Sequence, residues 1–137
     1  AYSEAAPYNK FLMLPDRPMS EQAKRGMFLY AERECSYCHN IMGKGGHRTG
    51  PDMSNMIKKG RSARYLADYV KNPLKVYSSS TMPAYDLTPE QLKDLAAFLL
   101  ALDFRGAKAV EKPVSEILGT TKAGQQTGQT DAVASGS

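Results

Sequence analysis

Apolar and polar residues recur with a helical period in three separate stretches of the chain, and the first stretch precedes a pair of cysteines. Ser20 can cap a helix there by accepting a hydrogen bond from an early backbone N–H. Ala23, Met27 and Tyr30 then follow at intervals of three or four residues. This pattern predicts a first helix over residues 20–34.

A short middle helix is predicted in the second stretch. Ser62 is its N-cap, and Pro73 prevents Asn72 from continuing the helix because the proline ring disfavours helical backbone at the residue before it. The apolar residues that fall on one face of this helix are Tyr65, Leu66, Tyr69 and Val70.

The third helix has the most complete start signal. Thr88 supplies an N-cap, Pro89 a first-turn proline and Gln91 a capping-box partner. The helix is predicted to run to about Asp103 and to turn its apolar side towards the core. The apolar residues concerned are Leu92, Leu95, Ala96, Leu99 and Leu102.

The remaining segments lack a helical period. Residues 41–60 are rich in Gly, Asn and Pro and contain three methionines, which predicts an ordered loop with apolar anchors. Residues 1–19 contain three prolines and predict an extended N-terminal arm. Residues 106–137 predict a low-complexity C-terminal tail without an independent fold. The chain is therefore predicted to be an all-α domain, residues 20–105, of about three main helices between two extended arms.

Composition limits the cellular setting. The hydrophobic fraction of 42% suits a soluble globular domain, and no apolar run approaches the roughly 20 residues that a membrane-spanning helix needs. The sequence begins at Ala1 without an initiator Met or an apolar leader, as expected for an exported mature product. We therefore expect a periplasmic or otherwise extracytoplasmic protein with no transmembrane segment of its own.

Both cysteines of the chain lie in one pentapeptide, Cys-Ser-Tyr-Cys-His, which runs from Cys35 to His39. This is the pattern of covalent haem attachment. Each thiol can add to a haem vinyl group, and the histidine that follows Cys38 can coordinate the iron.

Three other interpretations of the pentapeptide remain open at this point. A thioredoxin-like dithiol requires the cysteine pair to open a helix after a strand, whereas here a predicted helix precedes it. A zinc site could use both cysteines with His39 and His47, although all four ligands would lie within thirteen residues. A chance occurrence is the third interpretation.

From residue 20 to residue 104 the chain resembles the class I c-type cytochromes, which are small helical domains wrapped around one covalent haem c with its iron. Besides the pentapeptide, the segment Gly50-Pro51-Asp52-Met53 resembles the family's Gly-Pro-x-Leu segment. The resemblance implies that the Pro51 carbonyl accepts a hydrogen bond from the ligand His39 and raises its basicity. An ordinary turn proline is the alternative.

The resemblance also implies a sixth iron ligand and a haem pocket. Residues 80–85 resemble the family's axial-methionine loop, which assigns His39 and Met82 as the two metal ligands, with His47 as the alternative to Met82. The other residues expected to contact the haem are Pro51, Met53, Leu66, Tyr69, Tyr85, Leu95 and Leu99.

A helix crossing near the cysteines is a further point of resemblance. Gly26, Tyr30 and Phe98 resemble the contact between a small residue and aromatic rings where the family's first and last helices cross. However, Tyr30 precedes Cys35 by one residue more than the family pattern predicts. The expected contact between Tyr30 and Phe98 is therefore less well defined by the resemblance than the other contacts.

The implied function is outer-sphere electron transfer by a carrier that is not itself an enzyme. We expect the haem subunit of a membrane-associated respiratory or photosynthetic electron-transport complex. A freely diffusing periplasmic carrier is the alternative. A haem peroxidase or gas sensor, in which Met82 leaves the iron or never binds it, is a third possibility.

Charge indicates the kind of partner. Lys and Arg outnumber Asp and Glu by 11 to 6 between residues 20 and 86, so we expect a basic rim that attracts an acidic redox protein. This excess is too small to favour nucleic-acid binding. The residues of the predicted basic rim are Lys24, Arg25, Arg33, Lys44, Arg48, Lys58 and Lys59.

Overall fold

The computed structural model describes residues 10–44, 50–80 and 82–119 of the chain. Within these ranges the protein is a mostly helical domain with a small two-stranded sheet. A 3-10 turn, Cys35–Tyr37, carries the first cysteine, and residues 114–119 are also helical. The other elements are strand β1 (Phe11–Pro15), helices α1 (Glu21–Glu32), α2 (Ala63–Lys71), α3 (Pro73–Val76) and α4 (Pro89–Ala101), and strand β2 (Ala109–Pro113).

The three predicted N-caps are all formed. The Ser20 hydroxyl accepts from the Ala23 backbone N–H at 3.0 Å, which starts α1. Ser62 does the same for α2, and Thr88 forms a complete capping box with Gln91 at the start of α4. The predicted helix ends were slightly too late, because α1 ends at residue 32 and α4 at residue 101.

Helices α1 and α4 cross at the predicted glycine. A Cβ at Gly26 would overlap the backbone carbonyl of Asp94 and would lie 2.8 Å from the Phe98 Cβ, so only glycine permits this approach. The Tyr30 and Phe98 rings are 5.3 Å apart at 60°, which is a favourable tilted arrangement. The Arg25 guanidinium pairs with the Asp94 carboxylate at 3.1 Å across the same crossing.

The extra residue between Tyr30 and the cysteines is accommodated at the end of α1. Glu34 adopts a left-handed conformation with φ 58°, and its N–H donates to the Ala31 carbonyl at 3.2 Å. A left-handed residue just past a helix end turns the chain sharply. Tyr30 therefore keeps its contact with Phe98 although it lies one residue further from Cys35 than the family pattern predicts.

The two arms pair with each other, which the sequence did not predict. Strands β1 and β2 are antiparallel, with Phe11 opposite Pro113 and Met13 opposite Glu111. Leu12 and Leu14 of β1 are buried in the domain core, as is Ile117 beyond β2. The described arm residues thus fold onto the helical domain rather than alone. The predicted boundaries at residues 20 and 105 stay a prediction, and residues 1–9 and 120–137 lie outside the described ranges.

None of the helices in the described part of the chain combines the length and apolar character that a membrane-spanning helix requires.

Candidate functional site

The pentapeptide forms a compact turn directly after α1. The His39 N–H donates to the Cys35 carbonyl at 3.1 Å, and the Cys38 N–H donates to the same carbonyl at 3.3 Å. Both cysteines are partly buried free thiols. One tight turn therefore presents two thiols and an imidazole together.

His39 is held in one orientation by the next segment of the chain. Its Nδ1 lies 2.8 Å from the Pro51 carbonyl oxygen. Because a carbonyl can only accept, Nδ1 carries the proton, and the Nε2 lone pair is left for a metal. The predicted contact between Pro51 and His39 is thus present in the structure. The role of His39 as an iron ligand stays a prediction.

The imidazole is also confined by close packing. A Cβ at Gly50 would overlap the His39 ring, and the Gly50 N–H donates to the Cys38 carbonyl at 3.0 Å. Burial lowers the pKa of His39, while the Pro51 carbonyl and the Asp52 charge raise it. The net direction is downward, so the ring is neutral at pH 7, which is the form that binds a metal.

The electrostatics of Cys35 do not suit a redox dithiol. Burial raises the pKa of Cys35 to about 12, with smaller opposing contributions from a backbone hydrogen bond and from Arg33. A thioredoxin-like cysteine instead needs a lowered thiol pKa. The neutral thiol at Cys35 is in keeping with a role as a covalent attachment point.

Most of the predicted pocket residues are brought together. Met82 and Tyr85 are partly buried and pack against the hydrophobic core. Tyr69 is partly buried, and its ring lies 6.1 Å from the Tyr65 ring. His47 lies outside the described residues. The predicted pocket residues that are fully part of the core are Met53, Leu66, Leu95 and Leu99.

Tyr85 ties the methionine segment to the rest of the domain. Burial raises the pKa of the Tyr85 hydroxyl, with smaller contributions in the same direction from Cys35 and Cys38. Its N–H donates to the Val70 carbonyl at 3.3 Å, which ties this segment to α2. Binding of Met82 to iron stays a prediction.

Sequence reasoning missed the polar residues that follow Pro51. The Asp52 carboxylate accepts from the Ser54 N–H at 2.9 Å and also from the Ser54 hydroxyl. Asn55 accepts from the Phe104 N–H at 2.9 Å through its side-chain oxygen. Asp often accepts a hydrogen bond from the backbone N–H two residues further along the chain, so the bond from the Ser54 N–H could have been predicted from the sequence.

The residues present fit a covalently attached haem. Two neighbouring thiols supply the attachment chemistry, and an adjacent imidazole offers Nε2 while its Nδ1 is bound to a carbonyl. A ligand histidine in metalloproteins usually has this second hydrogen bond. Apolar side chains from the 50–56 segment, α2 and α4 form a continuous core beside this turn.

Comparison with known proteins agrees with this chemistry. The cytochrome c family model matches residues 23–103. The chain therefore belongs to the cytochrome c family, whose members carry covalently bound haem c with iron. This membership excludes the thioredoxin-like, zinc and chance interpretations of the pentapeptide.

The relatives that the chain resembles include subunits of a reductase and of an oxidase. The chain is 32% identical over 89 residues to the C subunit of nitric oxide reductase from Halomonas halodenitrificans, covering 59% of each protein. It is 28% identical over 86 residues to the protein of the same name from Stutzerimonas stutzeri, covering 59% of this chain and 58% of the relative. It is 27% identical over 95 residues to cytochrome c oxidase subunit 2 of Alkalihalophilus pseudofirmus, covering 64% of this chain and 28% of the relative.

The chain spans less than two thirds of the length of each of these relatives. No solved structure matches it significantly.

Proposed function

We propose that this cytochrome c domain is the haem-carrying part of a membrane-associated respiratory complex and works on the extracytoplasmic side as an electron carrier rather than an enzyme. The haem assignment depends mainly on the 2.8 Å contact between His39 Nδ1 and the Pro51 carbonyl oxygen. His39 belongs to the same turn as the two cysteine thiols. The assignment to a complex is supported by the relatives, which are named as reductase and oxidase subunits.

Each residue of the site has a separate task in this proposal. Cys35 and Cys38 would hold the haem through thioether bonds, and His39 Nε2 and the Met82 sulfur would bind its iron. Haem c, when bound, supplies one-electron exchange between ferrous and ferric iron. Because His39 and Met82 would both bind the iron, no substrate would need to bind there, and the domain would act by passing electrons.

Covalent attachment is tested first, with the holoprotein made in a haem-attaching host. We expect the polypeptide to stain for haem peroxidase activity on a denaturing gel and to keep its colour after acid-acetone extraction. The double variant Cys35→Ala, Cys38→Ala should lose both properties. Loss of all colour from the wild-type chain on extraction would reject the proposal.

The sixth ligand is tested by a matched pair of methionine variants. Met82→Ala should abolish the weak long-wavelength band that methionine-to-iron charge transfer gives in a ferric spectrum, while the haem stays covalently attached. Met42→Ala is the control, because Met42 is 44% exposed. A band that survives in Met82→Ala would mean that another residue binds the iron. A high-spin wild-type spectrum would instead favour the peroxidase or sensor alternative.

A freely diffusing carrier remains the alternative to membership of a complex. The described residues of the two arms pair with each other, and Leu12, Leu14 and Ile117 are buried in their own domain. Gentle solubilisation of native membranes, followed by native electrophoresis and haem staining, distinguishes a complex subunit from a free carrier. We expect the haem band to migrate with a large complex, whereas a band at the monomer position would support the free carrier.

The predicted basic rim is largely engaged in contacts within the domain. Lys24 pairs with Glu21 at 3.2 Å and Arg33 with Glu32 at 3.3 Å. Arg25 pairs with Asp94. Arg48 lies outside the described residues, and the Lys59 ammonium donates to the Asp52 backbone carbonyl at 2.9 Å. These contacts weaken the case for this rim as the partner surface.

A second surface is better suited to dock an acidic redox protein. Leu74 and Tyr77 are 60% and 56% exposed, and Val76 lies between them in sequence. Lys71 and Lys75 are exposed and lie close to these residues in sequence, and neither takes part in the ion pairs formed among the residues that the structure describes. Exposed apolar side chains flanked by unpaired cations are typical of transient docking sites for partners of opposite charge.

The docking surface is tested on an electrode coated with a mixed carboxylate and methyl monolayer, which imitates an acidic partner. Lys71→Glu and Lys75→Glu should each slow electron transfer at low ionic strength by several-fold, and the difference should shrink with added salt. Lys108→Glu makes the same charge change on the exposed approach to β2 and is the control. Equal effects of all three variants would show that only net charge matters.

A further inference from the structure

The segment after His39 contains an unusual tight turn. Ile41 and Lys44 exchange two backbone hydrogen bonds, at 2.9 and 3.0 Å, around Met42 and Gly43. Both central residues are left-handed, with φ 53° and 74°. A residue with a Cβ in this conformation costs roughly 1–2 kcal/mol, so the turn at Met42 needs support from its surroundings.

That support comes from the segment that holds Pro51. The Ser54 hydroxyl oxygen accepts from the Met42 N–H at 2.7 Å, and the Asp52 carboxylate accepts from the Gly43 N–H at 2.8 Å. The Ser54 hydroxyl in turn donates to Asp52. Asp52 and Ser54 together therefore bind both outward-facing N–H groups of the turn.

The opposite end of the same segment is fixed as well. Asn55 is left-handed with φ 59°, its N–H donates to the Leu102 carbonyl at 2.7 Å, and its side chain binds the Phe104 N–H. Residues 51–55 are thus held at one end by the turn and at the other by the chain that follows α4. The Pro51 carbonyl, which binds His39, is the group immediately before Asp52.

Asp52 is ionised in this environment. Desolvation alone raises its pKa, but hydrogen bonds from Ser54 and Gly43 and the charge of Lys59 outweigh that effect and lower it. Asp52 directly follows Pro51, whose carbonyl oxygen lies 2.8 Å from His39 Nδ1, so its charge lies close to the imidazole. A fixed negative charge near a bound iron favours the more highly charged ferric state.

We infer that Asp52 is a positioning residue that holds the Pro51 carbonyl on His39 Nδ1 and lowers the reduction potential of the haem through its fixed negative charge. The inference rests on the proposed function, because it requires His39 to be an axial ligand. It goes beyond that function because Asp52 is proposed to set part of the reduction potential of the haem without binding the iron.

The test compares reduction potentials of holoprotein variants by spectroelectrochemistry. Asp52→Asn should raise the reduction potential of the haem. At a fixed applied potential, the ferrous-to-ferric ratio should therefore increase several-fold. A tenfold increase in this ratio corresponds to a rise of about 59 mV for a one-electron couple. Asp68→Asn removes the same charge from the exposed face of α2, where Asp68 pairs with Arg64 at 3.8 Å, and should change the ratio much less. The resonance of the His39 Nδ1 proton should also move in Asp52→Asn but not in the control.

Ser54→Ala provides a second measurement, since Asp52→Asn could fail to load haem. It keeps the charge but removes the hydroxyl between Asp52 and Met42, so a smaller rise in potential is expected. The inference is overturned if Asp52→Asn shifts the potential no more than Asp68→Asn does. It is equally overturned if Asp52→Asn loads no haem and Ser54→Ala has the wild-type potential. A wild-type chain without covalent haem would instead reject the proposed function, so the two failures are distinguishable.

Discussion

The two segments that are proposed to provide the axial ligands differ in how firmly the fold holds them. The proximal segment, residues 39–44 and 50–55, is cross-linked by hydrogen bonds between residues far apart in sequence. The Met53 N–H donates to the Asn40 carbonyl at 2.8 Å, and the Gly50 N–H donates to the Cys38 carbonyl. His39, Asp52, Ser54 and Asn55 add their own bonds.

The distal segment, residues 78–80 and 82–86, is held much more loosely. Among its described residues, the Tyr85 N–H bond to Val70 is the one that reaches a distant part of the chain. The Met82 N–H donates to the Ser80 hydroxyl only two residues away, at 3.2 Å. Local unfolding is easiest where backbone bonds are few and exposed. We therefore expect the methionine side to open well before the histidine side.

The largest effect is expected from Gly50→Ala on the proximal side. The new Cβ would overlap the His39 ring, and the crowded ring would have to leave the Pro51 carbonyl. Overpacking of this kind costs about 3 kcal/mol, and haem loading should fall sharply. Gly119→Ala, where a Cβ meets nothing within 4 Å, is the control for denaturant unfolding and for haem yield. A Gly50→Ala protein with wild-type stability and loading would show that the proximal side is not rigid.

A smaller loss is expected from Asn55→Ala. The substitution removes the acceptor for the buried Phe104 N–H and places Ala in a left-handed conformation, so it should cost about 2 kcal/mol. Asn55→Gly loses the same acceptor, but glycine tolerates the left-handed conformation. Its free energy of unfolding should therefore lie between those of wild type and Asn55→Ala in the same assay. Equal stabilities of the two variants would assign the whole effect to the hydrogen bond.

Acid should act on the proximal side through Asp52. Its pKa lies below the ordinary value of 3.8, so its contribution to stability is complete above that value and is lost as the pH falls through the lower folded-state pKa. Asp52→Asn should therefore lose less unfolding free energy than wild type when denaturant titrations at pH 5 and pH 2.5 are compared. An identical loss in both proteins would contradict the ionised hydrogen-bonded carboxylate.

The smallest change in stability is expected on the distal side. Ser80→Ala removes the acceptor for the Met82 N–H at the partly exposed end of the segment, at a cost of about 0.5 kcal/mol. Displacement of the sixth ligand by added imidazole should nevertheless become easier, as measured by spectral titration of the ferric protein. Ser79→Ala, an exposed neighbour, should leave that titration unchanged. A stronger effect on unfolding than that of Asn55→Ala would reverse the proposed ranking of the two sides.

The parts of the molecule that could be predicted from sequence are those set by local rules. Ser20, Ser62 and Thr88 cap helices through bonds to residues three positions ahead, so a short window of sequence contains the whole interaction. The pentapeptide is local in the same sense. The Pro51 contact to His39 followed only from resemblance to a family, because twelve residues separate the two.

The features that were missed depend on distant partners. Strand β1 has two buried leucines, but its residues do not alternate between apolar and polar, so no pattern marks it as a strand. Its partner β2 follows the last long helix and is far away in sequence. Asp52 and Ser54 signal a turn, yet nothing local indicates that Met42 and Gly43 are what they bind. Glu34 gives no left-handed signal, since that conformation is rare for Glu and is stabilised here by the end of α1.

Pairing of β1 with β2 has a further consequence for the order in which the domain folds. The Val114 N–H donates to the Lys10 carbonyl at 2.8 Å, so the sheet joins two segments that have the helices α1 to α4 between them in sequence. A contact that closes so long a loop costs chain entropy and forms slowly. We therefore expect β1 and β2 to pair only after the helices have packed and have brought the two strands close together.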